Sequence, residues 1–249
     1  MDIREQNINI ALAANEAKQV VLRFDEQTPA ETNVTLALAD GAHLDVVILQ
    51  ENVASGKRCV VRASQQSNSA LSMSTITHHS SDIKNDVEVK LQGEGAELTL
   101  NGLYLTDNTE NVDNKTVVYH EVGHCTTKQL YKGALDGESK ASFAGMIIVQ
   151  PDAQKTSAQQ TNRNILVSPK AKVHAEPQLV IYADDVKCSH GATTGQLDPV
   201  QLFYMQQRGI NEDAARRMLT AAYAAEVVAL IPIEEVRERL TESLFEETI

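Results

Sequence analysis

The chain has 249 residues, 42% of them hydrophobic, enough to bury a sizeable core as one or two domains. It contains no tryptophan and four phenylalanines, so that core must come from Val, Leu, Ile and Ala, and from repetition more than from large rings. A formal net charge of −12, with no run of Lys or Arg, repels phosphate backbones and anionic lipid and argues against nucleic acid and membrane partners.

The N-terminal Met1-Asp2-Ile3-Arg4-Glu5 is polar, and apolar stretches such as Val46 to Leu49 and Met146 to Val149 fall far short of a bilayer span. A cytoplasmic location is expected. From about Ile8 to about Tyr182 the sequence reads as strands only a few residues long. Leu44, Val46 and Ile48 alternate with their neighbours, as do the residues of Val87-Glu88-Val89-Lys90-Leu91. Turn clusters separate them at Asp40-Gly41, Gly93-Glu94-Gly95, Asp107-Asn108, Asp136-Gly137 and Ser168-Pro169, ending strands by positive φ or by removal of an N–H donor.

A loose repeat joins a turn, a small residue and a strand: Gly41-Ala42-His43-Leu44, Gly95-Ala96-Glu97-Leu98, Lys170-Ala171-Lys172-Val173. Many short strands without helical crossovers leave a sandwich, a barrel or a parallel β-helix; the repeated corner and the scarcity of aromatics favour the β-helix. The predicted core domain is 1–195, all-β. A small α-helical C-terminal region, 196–249, follows. Its first helix starts with Asp198 as N-cap and Pro199 at the first helical position, and closes at Arg208-Gly209. Asn211 caps a second helix with Ala215, Met218, Leu219, Ala222, Ala225, Ala229 and Leu230 on one stripe, and Pro232 ends it. A third runs from Glu234 to about Phe245, with Val236, Leu240 and Leu244 sharing a face.

Two constellations carry chemistry. His120-Glu121-Val122-Gly123-His124 matches the His-Glu-x-x-His pattern of zinc proteases, which works only on a helix. Its flanks, Thr116-Val117-Val118-Tyr119 and Cys125-Thr126-Thr127, prefer strand, where His120 and His124 would share a face but Glu121 would point away. The match is read as chance. The three cysteines, Cys59, Cys125 and Cys188, are an odd, widely spaced set, so at least one free thiol is expected. Cys188 and His190, two residues apart, would share a side of an extended segment and could bind a soft or borderline metal; two ligands do not complete a site. A partner chain could finish it, or Cys188 is a structural thiol beside a surface histidine. No phosphate-binding loop is present: Gly56-Lys57 is followed by Arg58, with Glu51 where the first glycine belongs.

The segment Tyr182 to Thr193, then Gly195, Leu202-Phe203-Tyr204 and Arg208-Gly209-Ile210, resembles the C-terminal signature of the SufB/SufD family. Weaker likeness runs upstream through Lys128-Gln129-Leu130, Phe143 to Val149 and Lys155-Thr156. His190-Gly191-Ala192-Thr193 stands where SufB-like sequences carry His-Glu-Ala-Thr, which places the resemblance on the SufD side. The resemblance implies a right-handed parallel β-helix followed by helices, and a non-enzymatic scaffold role in SUF iron–sulfur cluster assembly. It implies pairing with a SufB-like subunit through the β-helix, and binding of a SufC-like ATPase through the helical end. Phe203, Tyr204, Arg208, Met218 and Tyr223 are its partner-binding candidates. Cys188 and His190 map to the subunit interface, with an iron–sulfur cluster held there transiently, shared with the partner, and no cofactor on the isolated chain. Family chains carry a helical region before the β-helix, whereas strands begin here almost at once, as in a fragment or a short natural form. A homodimer of the isolated chain and flavin binding stay open. The rival readings are a β-helical polysaccharide-active enzyme and a zinc hydrolase through His120 and His124.

Overall fold

The computed structural model of the chain describes residues 1–53 and 56–246. In chain order the first strands are β1 (Asn7–Leu12), β2 (Ala17–Phe24), β3 (Glu31–Leu38), β4 (His43–Glu51), β5 (Lys57–Gln65), β6 (Ala70–His78) and β7 (Ile83–Leu91). They are followed by β8 (Glu97–Thr106), β9 (Asn111–His120), β10 (Thr126–Leu135), β11 (Lys140–Val149), β12 (Ser157–Leu166), β13 (Lys172–Ile181) and β14 (Lys187–Gln196). Helices α1 (Pro199–Gln207), α2 (Glu212–Val228) and α3 (Glu234–Glu246) complete the described chain.

The odd-numbered strands form one parallel sheet in the order β1-β3-β5-β7-β9-β11-β13, and the even-numbered strands a second, β14-β12-β10-β8-β6-β4-β2. Successive strands therefore alternate between sheets, and each coil of this solenoid lies in register on the one before. Inward-facing residues stack in columns: Ile8 beside Val34, Val34 beside Val61, Val61 beside Val87. Aliphatic side chains at these positions are buried between the two sheets, which is where the main core sits.

The corners stack as well. Gly41 and Gly95 take positive φ, as do Asn15, Asn68 and Asn108 at matching turns. Asn15 N–H donates to the Asp40 carbonyl, Gly41 N–H to that of Ser67, and Asn68 N–H to that of Glu94, so one turn satisfies the next. A Cβ on Gly41 would overlap the Asn15 amide, which is why glycine alternates with asparagine here. The small residues of the corner repeat, Ala42, Ala96 and Ala171, are buried.

Strand length departs from expectation: strands run from six to ten residues rather than a few. The reason is chemical. β12, Ser-Ala-Gln-Gln-Thr-Asn-Arg-Asn-Ile-Leu, buries Ala158, Gln160, Asn162 and Asn164 inward, so its period-two pattern is invisible to a hydropathy reading. Inside the solenoid these amides bond to one another. Gln50 Nε2 donates to Asn85 Oδ1 at 2.7 Å, Asn85 Nδ2 to Asn114 Oδ1 at 3.0 Å, and Asn162 Nδ2 to the Tyr104 hydroxyl at 3.0 Å.

The outer face of the even sheet is apolar where Val47, Leu49, Ile76, Leu103 and Leu105 project, and α2 and α3 cover it. β4 is thus buried on both faces, which explains its unbroken Val46-Val47-Ile48-Leu49 run. Asp198 and Asn211 cap α1 and α2 as expected, each side chain accepting a backbone N–H. On α2 the buried stripe is Ala215, Ala221, Ala224, Val227 and Val228. Met218 and Leu230, expected on the inner stripe, are 40% and 48% exposed. Alanine fills both candidate stripes, so the pattern was ambiguous, and the bulk of Val227 and Val228 decides which faces the sheet. On α3, Val236, Leu240 and Leu244 are buried, as the spacing predicts.

Candidate functional site

The last coil is built from β13 and β14, and each is the terminal strand of its sheet. Their outer edges carry backbone N–H and C=O groups that no further strand among the described residues pairs. Pro177 sits in the middle of β13, a position tolerated because an edge strand can do without one ladder donor. Burial drops sharply here: β14 is exposed along its whole length except at Cys188, which is half-buried. The end of the stack is left open.

Register assigns the inward positions of β14. Cys188 stands beside Ala158, His190 beside Gln160, Ala192 beside Asn162 and Thr194 beside Asn164. Followed back through the sheet, these columns change character. The His190 column is Val20, Val46, Met73 and Leu100, then Gln129, Gln160 and His190. Aliphatic at the start of the solenoid, it turns polar over its last three coils.

Cys188 and His190 are therefore brought onto one face of one exposed strand, as the two-residue spacing predicts. Cys188 packs partly against the core, and burial pushes its thiol above the usual cysteine range. Among the described residues no group of three or more His, Cys, Asp or Glu side chains is gathered as a metal cage. A thiol and an imidazole suit a soft or borderline metal, and together they make half of a four-ligand set. The other two cysteines are buried: Cys59 is pushed up to about 12 by desolvation, and Cys125 is also raised, its Sγ lying 3.4 Å from the Gly93 and Gly123 carbonyls.

His120 and His124 are not on a helix. β9 ends at His120, the chain then turns, and His124 takes φ of 60°, so the strand geometry expected across both residues is also broken. His120 is buried, its Nε2 lies 2.9 Å from Thr127 Oγ1, and desolvation pulls its pKa down to about 4, keeping the ring neutral. Glu121 accepts from Gln92 Nε2 at 3.0 Å. A helix presenting both imidazoles and a carboxylate to one metal-bound water does not exist here.

The remaining candidates lie on the helices. No residue of α1 is buried: Val200, Phe203 and Tyr204 of α1 are exposed to solvent, as is Met218 of α2. Arg208 donates to the Tyr204 hydroxyl at 2.8 Å. Tyr223 faces the other way: its half-buried ring lies 3.6 Å from Lys132 Nζ, under α2. Lys132 Nζ donates to the Tyr223 carbonyl at 2.6 Å and to Glu226 Oε2 at 2.7 Å, pinning the helix to the sheet. Lys132 and Gln160 were not singled out from the sequence, since only register shows that one is roofed by a helix and the other sits beside His190.

Taken together, the molecule is a two-sheet parallel β-solenoid whose exposed chemistry gathers on its open last coil and on the helices that follow it. The chain belongs to the SufBD core domain family of SUF system FeS cluster assembly, whose pattern matches residues 4–223. It is similar to the iron–sulfur cluster assembly protein SufD of Escherichia coli, 39% identical over 158 residues, which are 64% of this chain and 37% of that protein. A SufBD family protein of Synechocystis is 35% identical over 166 residues, 67% of this chain and 37% of its own length. SufD of Bacillus subtilis is 33% identical over 132 residues, 53% of this chain and 30% of its own. The matched stretch spans well under half the length of these relatives. The chain is thus a SufD-like protein of the SUF iron–sulfur cluster assembly system.

Proposed function

We propose that the chain is a non-catalytic scaffold subunit that joins a SufB-like partner end to end through β13 and β14 and helps hold a nascent iron–sulfur cluster at that junction. The observation that supports this most is the open last coil: two unpaired sheet edges flanking a thiol and an imidazole that form half of a coordination set. Extending both ladders with a partner's strands would satisfy the free backbone groups and bury the exposed inward positions. The cluster is the cargo of this site. Cys188 would supply a thiolate and His190 a neutral ring nitrogen, the partner the remaining ligands.

The second contact in this reading is a SufC-like ATPase on the exposed side chains of the helical end, Val200, Phe203 and Tyr204 of α1 and Met218 of α2, with Arg208 bonded to Tyr204. Apolar and aromatic side chains left in solvent together are what a docking surface uses. Tyr223 then acts from beneath, keeping α2 seated. In this reading the protein works in the cytoplasm; no helix among the described residues is long and apolar enough to cross a membrane.

The test is co-purification with SufB-like and SufC-like partners, followed by anaerobic cluster reconstitution on the complex. His190→Ala should lower cluster yield severalfold while leaving the complex assembled, and Phe203→Asp should release the ATPase. Undiminished yield from His190→Ala sinks the site assignment, and an ATPase retained by Phe203→Asp sinks the docking assignment.

A further inference from the structure

We infer that Gln160 is a positioning residue for His190: its side-chain oxygen accepts a ring N–H of His190, fixing the tautomer so that the other ring nitrogen keeps its lone pair for a ligand outside the chain. Gln160 and His190 occupy neighbouring inward positions of paired strands, where side chains stand about 5 Å apart. The Gln160 side chain is fully buried and its orientation is determined. Gln160 Nε2 donates to Gln129 Oε1 at 3.0 Å, and Gln129 Nε2 donates to Thr116 Oγ1 at 2.6 Å. The Gln160 amide N–H thus points to the preceding coil, away from the open end, and that of Gln129 crosses the core to β9. Gln160 Oε1 is left as the head of the row, buried and without a hydrogen-bond partner.

Such an atom is costly to leave unsatisfied, and most buried polar atoms in proteins are paired. Gly145 on the facing sheet points to the same role. A Cβ there would overlap Gln160 Nε2, so the missing side chain makes the space in which the amide lies. The inward neighbours of His190 on its own strand, Cys188 and Ala192, offer no carboxylate that could take the place of this acceptor. A histidine that ligates through one nitrogen commonly donates from the other to a fixed acceptor, which sets its orientation. Gln160 meets that need from within the chain, whichever metal or cluster the partner brings.

This inference rests on the proposed role of His190 for its purpose, but the contact itself can be tested without a cluster. In the isolated chain, 15N chemical shifts of the His190 ring at a pH where it is neutral should show one tautomer predominating. Gln160→Leu and Gly145→Ala, the second displacing the amide without removing it, should each return the ring to the mixture of free imidazole. Gln160→Glu, which keeps an acceptor oxygen, should preserve the bias. Backbone spectra that stay unchanged away from β12 and β14 establish that each variant is folded; if Gln160→Leu fails that check, Gly145→Ala and Gln160→Glu decide the matter. A free-imidazole mixture in the unaltered chain, or a bias that survives both Gln160→Leu and Gly145→Ala, overturns the inference. A bias lost in the variants while His190→Ala leaves cluster yield normal would instead uphold the contact and reject the cluster-holding role.

Discussion

The middle coils and the last coil obey one folding rule and reach opposite outcomes. In the middle, an inward position is sealed by a coil on either side, so even amides and tyrosines are driven into pairs: Tyr104 donates to Asn164 Oδ1 and accepts from Asn162. In the last coil the same inward positions hold Cys188, His190, Ala192 and Thr194, with a neighbour on one side only. Equivalent backbone geometry thus carries packing in one region and leaves chemistry accessible in the other. The difference is made by the absence of a covering strand, so its energetic consequences should follow coil position rather than residue type.

The largest expected contrast is in core deletion. Phe143→Ala, at a fully buried ring packed 4.9 Å from Tyr131, should cost about 3–5 kcal/mol in denaturant unfolding, whereas Thr194→Ala, at an exposed inward position of β14, should stay within about 0.5 kcal/mol. Equal losses would mean that the last coil is as tightly packed as the rest.

Next comes acid. The folded pKa of His120 is lowered to about 4 by burial, below its ordinary 6.5. Between these values the unfolded chain binds the proton and the folded chain does not, so stability is full above about pH 6.5 and declines towards pH 4. The decline should approach about 3 kcal/mol, and His120→Asn should flatten that part of the profile. A profile that keeps its slope in the variant would place the titrating group elsewhere.

Added methyl groups give a smaller contrast. A Cβ at Gly133 would overlap the Tyr104 ring and one at Gly102 the Tyr131 ring, so either alanine should cost about 1–3 kcal/mol. Gly191 and Gly195 on β14 have open space around that position, and their alanine variants should change stability by less than about 0.5 kcal/mol. A large loss at Gly191 would show that the terminal strand is held by contacts of its own.

The mildest probe is thiol labelling under native conditions. Half-buried Cys188 should react with a maleimide well before Cys59 and Cys125, which should label only on unfolding. Addition of a SufB-like partner should slow the Cys188 reaction if the junction forms where we propose.

Much of this architecture was legible in the sequence. Corner residues such as Asp40-Gly41 and Gly95-Ala96, the caps Asp198 and Asn211, and the period-two run around Val89 follow local chemical rules and fall where expected, whereas around Val46 the strand is in place but its alternation is lost because the helices bury the outer face as well. The Cys188 and His190 pair was also legible, because its shared face needs only the alternation of one strand. The two-sheet register was not. Coil length drifts along the chain: Asn7 lies beside Asn33, but Lys140 beside Lys172. Counting residues therefore cannot place Gln160 next to His190. The strands that bury Asn and Gln hid themselves for the same reason that they pair: their inward side chains are polar, and only the facing sheet shows them to be inside.

The in-register stack of corners also constrains how such a chain can change in length. Removing one residue from within a strand would turn every following side chain of that strand to the opposite face, so gaps belong at the bends or must take out whole turns at once. A turn that is excised whole brings together two edges already shaped to receive each other, and one that is duplicated adds a new layer without disturbing the rest. Lineages carrying this scaffold should therefore differ by complete layers or by loops at the bends.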